Sequence, residues 1–379
     1  MGFVRHVWRW LQKRRFSYEP LIEVRISGSA ILHNLHIFQG LNGKVAVAPV
    51  LKSNAYGHDL VEVAKIVDDE SVPFLCVDSY FEALILRNEG IRSPILVLGY
   101  TATETILQSR LQDVVFGITG IEGMRELAER ATQRVPIHLK FDTGMHRQGI
   151  AANDTDETYR LVRANENIAV EGVYSHIADA DTRGSMHTLE QVHNWNALVS
   201  RLKSKITGVR YFHIAATSGV IFRDCDANMM RLGIGLYGVN VALQPLELRP
   251  ALELTTRITS LRTLKQGESV GYNATFTAEK DMRIATLPAG YYEGVDRRLS
   301  NKGSVLVRET PCPILGRVSM NITSIDVSSV PHANVGDPVV VISSNPNDPN
   351  SVENISKACG TIPYEVLVRI PQHLRRTIV

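Results

Sequence analysis

Between residues 45 and 240 the chain alternates short β-branched apolar runs with longer segments of helical period, and this alternation limits the available folds more than any other feature. The apolar runs are VAVAPVL (45–51), PFLCV (73–77), PILVLG (94–99), DVVFGI (113–118), PIHLKF (136–141), AVEGVYSHI (169–177), VRYFHIAA (209–216) and MRLGIGLYG (230–238). Helical patterns such as LVEVAKIVDD, SYFEALILRNEG and MHTLEQVHNWNALVSRLKS stand between them. Eight β-then-α units at this spacing predict an α/β fold, a (β/α)8 barrel rather than an open doubly wound sheet. After about residue 248 the text changes to extended runs divided by Gly, Pro, Asn and Asp turns, which predicts a mainly-β domain. Only SVENISKACG, with Ser351 as its N-cap, reads as helix there. The expected organisation is a basic extension over 1–20, a barrel over 21–247 and a β domain over 248–379.

Composition narrows the function classes. With 44% hydrophobic and 21% charged residues in 379, the chain can bury a core and is not a disordered one. No apolar run approaches the roughly 18 residues that span a bilayer, and no secretory leader pattern stands at the start, so a cytoplasmic protein is expected. The net charge of +2 is too small to predict a nucleic-acid or anionic-membrane partner. Arg5, Arg9, Lys13, Arg14 and Arg15 supply a local excess, and without them the chain stands at −3. Val4, Trp8 and Leu11 fall on one stripe among them, the pattern of a basic amphipathic helix. Cys76, Cys225, Cys312 and Cys359 lie far apart, with no CxxC pair or His cluster at metal spacing, so neither disulfides nor a metal are expected.

In a barrel the reactive groups gather at the C-terminal ends of the strands. The first run ends in Lys52-Ser53-Asn54-Ala55-Tyr56-Gly57-His58, the fifth in Asp142-Thr143-Gly144-Met145-His146-Arg147, the sixth in His176, and the seventh in Thr217-Ser218-Gly219. The eighth contains Arg231-Leu232-Gly233-Ile234-Gly235. Gly-rich turns with hydroxyls form a nest for a phosphate. A lysine at the end of a buried strand is a Schiff-base amine in waiting, because desolvation favours its neutral form. Together these groups point to pyridoxal phosphate, while leaving a lysine-dependent aldolase open.

The strings LKSNAYGHD, KFDTGMHRQG, YSHIADAD, NMMRLGIGLYG, VGYNATFTA, LPAGYYEGVDRRLSNKG and GRVSMNITSIDV resemble, in order and separation, the motifs of the alanine racemase family. The resemblance covers residues 22–379. It implies a pyridoxal-phosphate-dependent isomerase that interconverts L- and D-alanine for peptidoglycan, active as a head-to-tail homodimer whose sites are shared between subunits. It makes Lys52 the cofactor-bearing lysine and the base for one enantiomer, and Tyr272 of the other subunit the base for its mirror image. Racemisation needs two such groups, because a proton removed from one face must be returned on the other. Arg231 is implied as the partner of the pyridine nitrogen, and His176 as the link from Arg231 to Tyr272. Tyr56, Thr217 and the amides of Gly233 and Ile234 are implied at the phosphate. Arg147 and the amide of Met320 are implied at the substrate carboxylate, where a fork of donors suits two oxygens. Lys140 matches a lysine carbamylated in some members, and Asp181, Tyr291, Arg297 and Arg317 match the substrate approach.

The chain departs from the family pattern at several places. Asn321 stands where an Asp is usual, Ser319 where Cys is frequent, and Ala216 where an Asn often precedes the phosphate hydroxyl. A gap-free comparison puts Gln372 where many members have a tyrosine touching phosphate and the substrate methyl. A polar group there predicts room for serine or a longer side chain. A non-catalytic pyridoxal phosphate carrier is the alternative of another class, and the β domain with Tyr272 argues against it. A related decarboxylase would have to expel the carboxylate that Arg147 and Met320 are expected to hold.

Overall fold

The computed structural model describes residues 18–41, 43–218, 225–242 and 244–379. All but the last three residues of the expected 1–20 extension lie outside the described residues.

The chain enters through β1 (Glu23–Ile26) and α1 (Gly28–Leu41), and then runs through β2 (Ala46–Pro49), α2 (Leu60–Val67), β3 (Leu75–Val77), α3 (Tyr80–Asn88) and β4 (Ile95–Val97). It continues with α4 (Thr103–Gln108), β5 (Val114–Ile118), α5 (Ile121–Arg130), β6 (Val135–Lys140), α6 (Thr155–Ala164), β7 (Ile168–Tyr174) and α7 (Met186–Lys203). Then come β8 (Tyr211–His213) and β9 (Met229–Leu232). Strands β3 to β8 form one parallel sheet in sequence order. The curl closes into a ring: β2 pairs in parallel with β9, Val50 just past β2 bridges to Cys76 in β3, and the Asn228 amide donates to the Phe212 carbonyl at 3.0 Å. All eight expected strands are present, each almost wholly buried, as strands enclosed on both faces must be.

Two helices show how local chemistry sets their starts. Asp59 accepts from the amides of Val61 and Glu62, capping α2. Ser79 and Glu82 form a reciprocal capping box on α3, satisfying two otherwise unpaired amides. α1 precedes the barrel in sequence yet covers its seam: the Asn34 side chain donates to the carbonyls of Leu236 and Arg249 and accepts from the Arg249 amide. Gly235 is obligatory at that seam, since a Cβ there would lie 2.7 Å from Thr217 and 2.8 Å from Phe38.

The β domain comprises β10 (Leu252–Arg257), β11 (Ser260–Leu264), the small hairpin β12 (Ser269–Val270) and β13 (Phe276–Thr277), β14 (Met282–Leu287), β15 (Ser304–Val307), β16 (Thr310–Leu315), β17 (Thr323–Asp326) and β18 (Pro338–Ile342). Two short helices, α8 (Val352–Cys359) and α9 (Pro363–Val368), lead to β19 (Arg376–Ile378). Nine strands join in the order β11-β14-β17-β16-β15-β18-β10-β1-β19. β1, grouped above with the barrel, pairs instead with β10 and β19. Four residues carry too little pattern to say which sheet they will join. α9 is likewise additional to the one helix expected here, started by Pro363 in its first turn. The eighth apolar run is also shorter as a strand than expected: β9 stops at Leu232, and Ile234–Tyr237 form a 3-10 turn.

Candidate active site

A cavity of about 490 Å³ opens at the C-terminal rim of the barrel strands. Lys52, Tyr56, Lys140, Arg147, His176, Thr217, Arg231, Gly233 and Ile234 all border it, so nine of the residues singled out from the sequence meet in one place.

Lys52 opens a turn that no sequence signal announces. Ser53, Asn54, Ala55 and Tyr56 all hold φ between 51° and 57°, and Gly57 follows at 85°. For a non-glycine residue this left-handed region costs roughly 1–2 kcal/mol, so the turn exists only because its surroundings dictate it. The Ser53 amide donates to Glu82 Oε1 at 2.8 Å, and Asn54 Oδ1 accepts from the Leu60 amide. Arg376 donates to the Gly57 carbonyl from the last strand of the chain. Gly57 cannot be replaced cheaply, since a Cβ would lie 2.2 Å from the Leu367 carbonyl oxygen. The turn faces the Tyr56 ring inward, where burial pushes its hydroxyl well above the ordinary range. Lys52 Nζ itself donates to Asp78 Oδ1 at 3.3 Å.

Opposite, Arg231 is buried and fully engaged. Its Nη1 meets His213 Nδ1 at 2.5 Å and the His213 carbonyl at 2.9 Å; its Nη2 meets the Ser175 carbonyl at 2.7 Å and His176 Nδ1 at 3.3 Å. His213 Nε2 continues to His138 Nδ1 at 2.8 Å. A guanidinium only donates, so His213 must carry its proton on Nε2 and pass the same polarity to His138. Burial, with the Arg231 charge second, lowers His138 and His176 to about 3 and His213 well below its usual value. All three imidazoles are therefore neutral near pH 7. Tyr174 stacks on His213 with centroids 5.1 Å apart, and Arg231 lies over its other environment at 5.5 Å from the ring centre.

Arg147 sits on a tight loop made by DTGMHRQG. Asp142 Oδ1 accepts from the amides of Gly144, Met145 and His146, and the Ile150 amide returns to the Lys140 carbonyl. Lys140 Nζ donates to Gln148 at 3.0 Å. Burial, followed by the nearby charge of Arg147, lowers the Lys140 amine to about 8.

The cavity fits pyridoxal phosphate. Tyr56, Thr217 and the backbone at Gly233 and Ile234 form one corner, and a Cβ on Gly233 would lie 2.8 Å from the Tyr56 oxygen, so only glycine leaves that corner open. A primary amine and a buried guanidinium stand on the same walls, matching an aldehyde and a ring nitrogen.

Two family models match the chain: alanine racemase, N-terminal domain, over residues 26–241, and alanine racemase, C-terminal domain, over 251–378. The chain belongs to the alanine racemase family. It is 34% identical over 369 residues to alanine racemase 2 of Caldanaerobacter subterraneus subsp. tengcongensis, covering 94% of each chain. The alanine racemase of Clostridium difficile 630 superposes with a TM-score of 0.87 at 28% identity, over 96% of this chain and 97% of that one. An alanine racemase from Bartonella henselae, solved with covalently bound pyridoxal phosphate, shares the fold at TM-score 0.84 and 22% identity, over 95% and 100% of the two chains. The chain is an isomerase of this family, and no helix among its described residues is long and apolar enough to cross a membrane.

The remaining racemase positions lie elsewhere. Tyr272 stands at the tip of the β12–β13 hairpin, 69% exposed and away from the cavity wall. Met320 is 56% exposed, in a turn fixed by hydrogen bonds from the Tyr291 and Tyr292 amides to the Ser319 and Met320 carbonyls. Asn321 donates to Glu293 at 2.6 Å, and Glu293 also takes the Gly290 amide, so the two turns are locked together. Gln372 also lies apart from the cavity of its own chain. It is exposed and off the cavity wall, its carbonyl accepting from Arg376. α9 ends at Val368, and the helix presents Tyr364 and Val368 to the cavity, so the chain has already turned away by residue 372.

The sequence reading missed Asp78, Tyr174 and Tyr364, all of which border the cavity. Asp78 directly follows the third strand, the position at which barrel side chains reach the rim, and inspection of that strand end would have found it.

Proposed function

We propose that the chain binds pyridoxal phosphate through Lys52 and interconverts L- and D-alanine as a homodimer, with Tyr272 of a second copy completing each site. The observation that carries this reading is the cavity itself: a primary amine, a hydroxyl-and-glycine corner and a buried guanidinium on three walls of one space. When bound, pyridoxal phosphate supplies an electron-withdrawing ring that acidifies the Cα–H of an attached amino acid. Lys52 Nζ takes or returns the Cα proton on one face. The Tyr272 hydroxyl does so on the other, and its exposure at a hairpin tip suits reach into a neighbour. Arg147 and the Met320 amide hold the carboxylate, so that loss of CO2 does not compete. Arg231 keeps its proton and offers the ring nitrogen a donor only. His176, neutral at the Arg231 end, orients without exchanging charge. The Lys140 amine, free in part near pH 8, suits carbamylation, which would give Arg147 an anionic partner. D-alanine for peptidoglycan in the cytoplasm is the product role.

The test is incubation of purified protein with L-alanine, and separately L-serine, in deuterated water. Decay of circular dichroism together with Cα deuteration of alanine is expected, and serine should be the poorer substrate. A yellow protein that racemises neither would be a carrier or a racemase for another substrate, and longer side chains would be tried next.

A further inference from the structure

Asp78 has no counterpart among the groups discussed for the reaction, yet among the described residues it accepts the hydrogen bond of the Lys52 amine, at 3.3 Å. The pairing is built into the backbone. Glu82 Oε2 accepts the Asp78 amide at 2.8 Å, while Oε1 of the same carboxylate accepts the Ser53 amide at 2.8 Å. One side chain thus ties the residue after Lys52 to Asp78 itself. From the other side the Gly99 amide donates to the Asp78 carbonyl, and a Cβ on Gly99 would lie 2.3 Å from that oxygen. Asp78 is clamped between α3 and β4, on a level with the left-handed turn.

The electrostatics give this pair a task. Lys140 from β6, Arg147 from the following loop and Arg231 from β9 border the same cavity and, as like charges, favour a neutral Lys52. His176 is neutral, and Tyr56, Tyr174 and Tyr364 are held protonated by burial. Asp181 also borders the cavity and acts on Tyr364. Asp78 is therefore the carboxylate in contact with Lys52 that opposes three cations.

We propose that Asp78 is a positioning residue that holds and aims Lys52 Nζ whenever the amine is not covalently engaged, and so restrains it as a nucleophile. The inference rests on the reading of Lys52 as the cofactor lysine. Asp78 would slow covalent capture of an aldehyde by the Lys52 amine.

The experiment measures Lys52 acetylation by trace acetic anhydride against pH, using the full-length chain freed of any cofactor with hydroxylamine, read by mass spectrometry of the Lys52 peptide. Exposed Lys280 serves as the internal reference. In Asp78→Asn, Lys52 should label about threefold to tenfold faster at pH 7, the discount reflecting a half-exposed pair. Asp78→Glu should restore the wild-type profile. Added salt should slow Lys52 labelling more in Asp78→Asn than in the wild type, because without the carboxylate only the charges of Lys140, Arg147 and Arg231 remain to be screened. Equal labelling of wild type and Asp78→Asn at matched melting temperatures, or an equal response of the two to salt, would overturn the proposal. Failure of the cofactor reading is separate: it would appear as no visible band when pyridoxal phosphate is added to the wild type, with the labelling result unaffected.

Discussion

In the proposed reaction the rim of the barrel and the outer face of the β domain carry the two halves of one chemistry, and they are built in opposite ways. At the rim, Arg231 is buried and bonded on every side, and the Lys52 turn holds four non-glycine residues in the left-handed region by ties from α3, α2 and β19. On the β domain, Tyr272 and Met320 project 69% and 56% exposed from turns whose backbones are fixed but whose side chains touch little. A group that must hold a cofactor in place benefits from a surrounding that leaves it one conformation. A group meant for another molecule's cavity must instead be left free on a rigid support. The difference teaches that exposure of a motif residue need not argue against its role; it states where the rest of the site comes from.

The sharpest way to break this division is Lys52→Ala. Loss of the visible cofactor band and a fall in racemisation of about 10⁴-fold or more are expected, the upper range for a proton-transfer group that also anchors the cofactor. A retained band would move the covalent attachment off the rim. Tyr272→Phe should lower racemisation by roughly 10²- to 10³-fold and leave the visible spectrum intact, because the hairpin contributes nothing to cofactor capture. Loss of the band in this variant would contradict the split of tasks.

Acid should separate the two regions by stability. His138 and His176 at about 3, His58 at about 4 and His213, well below its ordinary value, all belong to the barrel, and all are depressed below the unfolded value near 6.5. The unfolded chain therefore binds more protons below pH 6.5, so stability is full above that pH and falls on acidification toward 4. Each such histidine contributes about 1.4 kcal/mol per pH unit in that window. Melting followed from pH 7 to 5 should show a steep decline in barrel stability, and a flat profile would mean that the imidazoles are not held neutral. The smallest effect expected is that of Gln372→Ala, within about twofold in activity because an exposed side chain off the cavity wall contributes little. A marked change in the serine-to-alanine rate ratio would return residue 372 to the wall.

The barrel was legible because each strand is a compact apolar run and each rim group follows one. The Lys52 turn was not, since its conformation comes from Glu82, Leu60 and Arg376 rather than from the preferences of Ser53 to Tyr56. β1 joined the distant sheet because β10 and β19 offered edges that a four-residue run cannot announce. Motif resemblance supplied Tyr272 and Met320, whose single-chain environment alone would not reveal them. At Gln372 it points to a position past the end of α9, and the helix itself leaves Tyr364 and Val368 at the cavity. Asp78 was readable from strand-end logic and absent from the motifs, which is why a motif-led reading passed over it.

The central claim is that one site draws on two copies of the chain. Lys52→Ala and Tyr272→Phe should each be nearly inactive alone, and mixing them under conditions that exchange subunits should restore about a quarter of wild-type activity, since half of the dimers become hybrids with one intact site each. No recovery on mixing, with hybrid dimers demonstrated by native mass spectrometry, would place both groups in the same subunit's site and contradict the account.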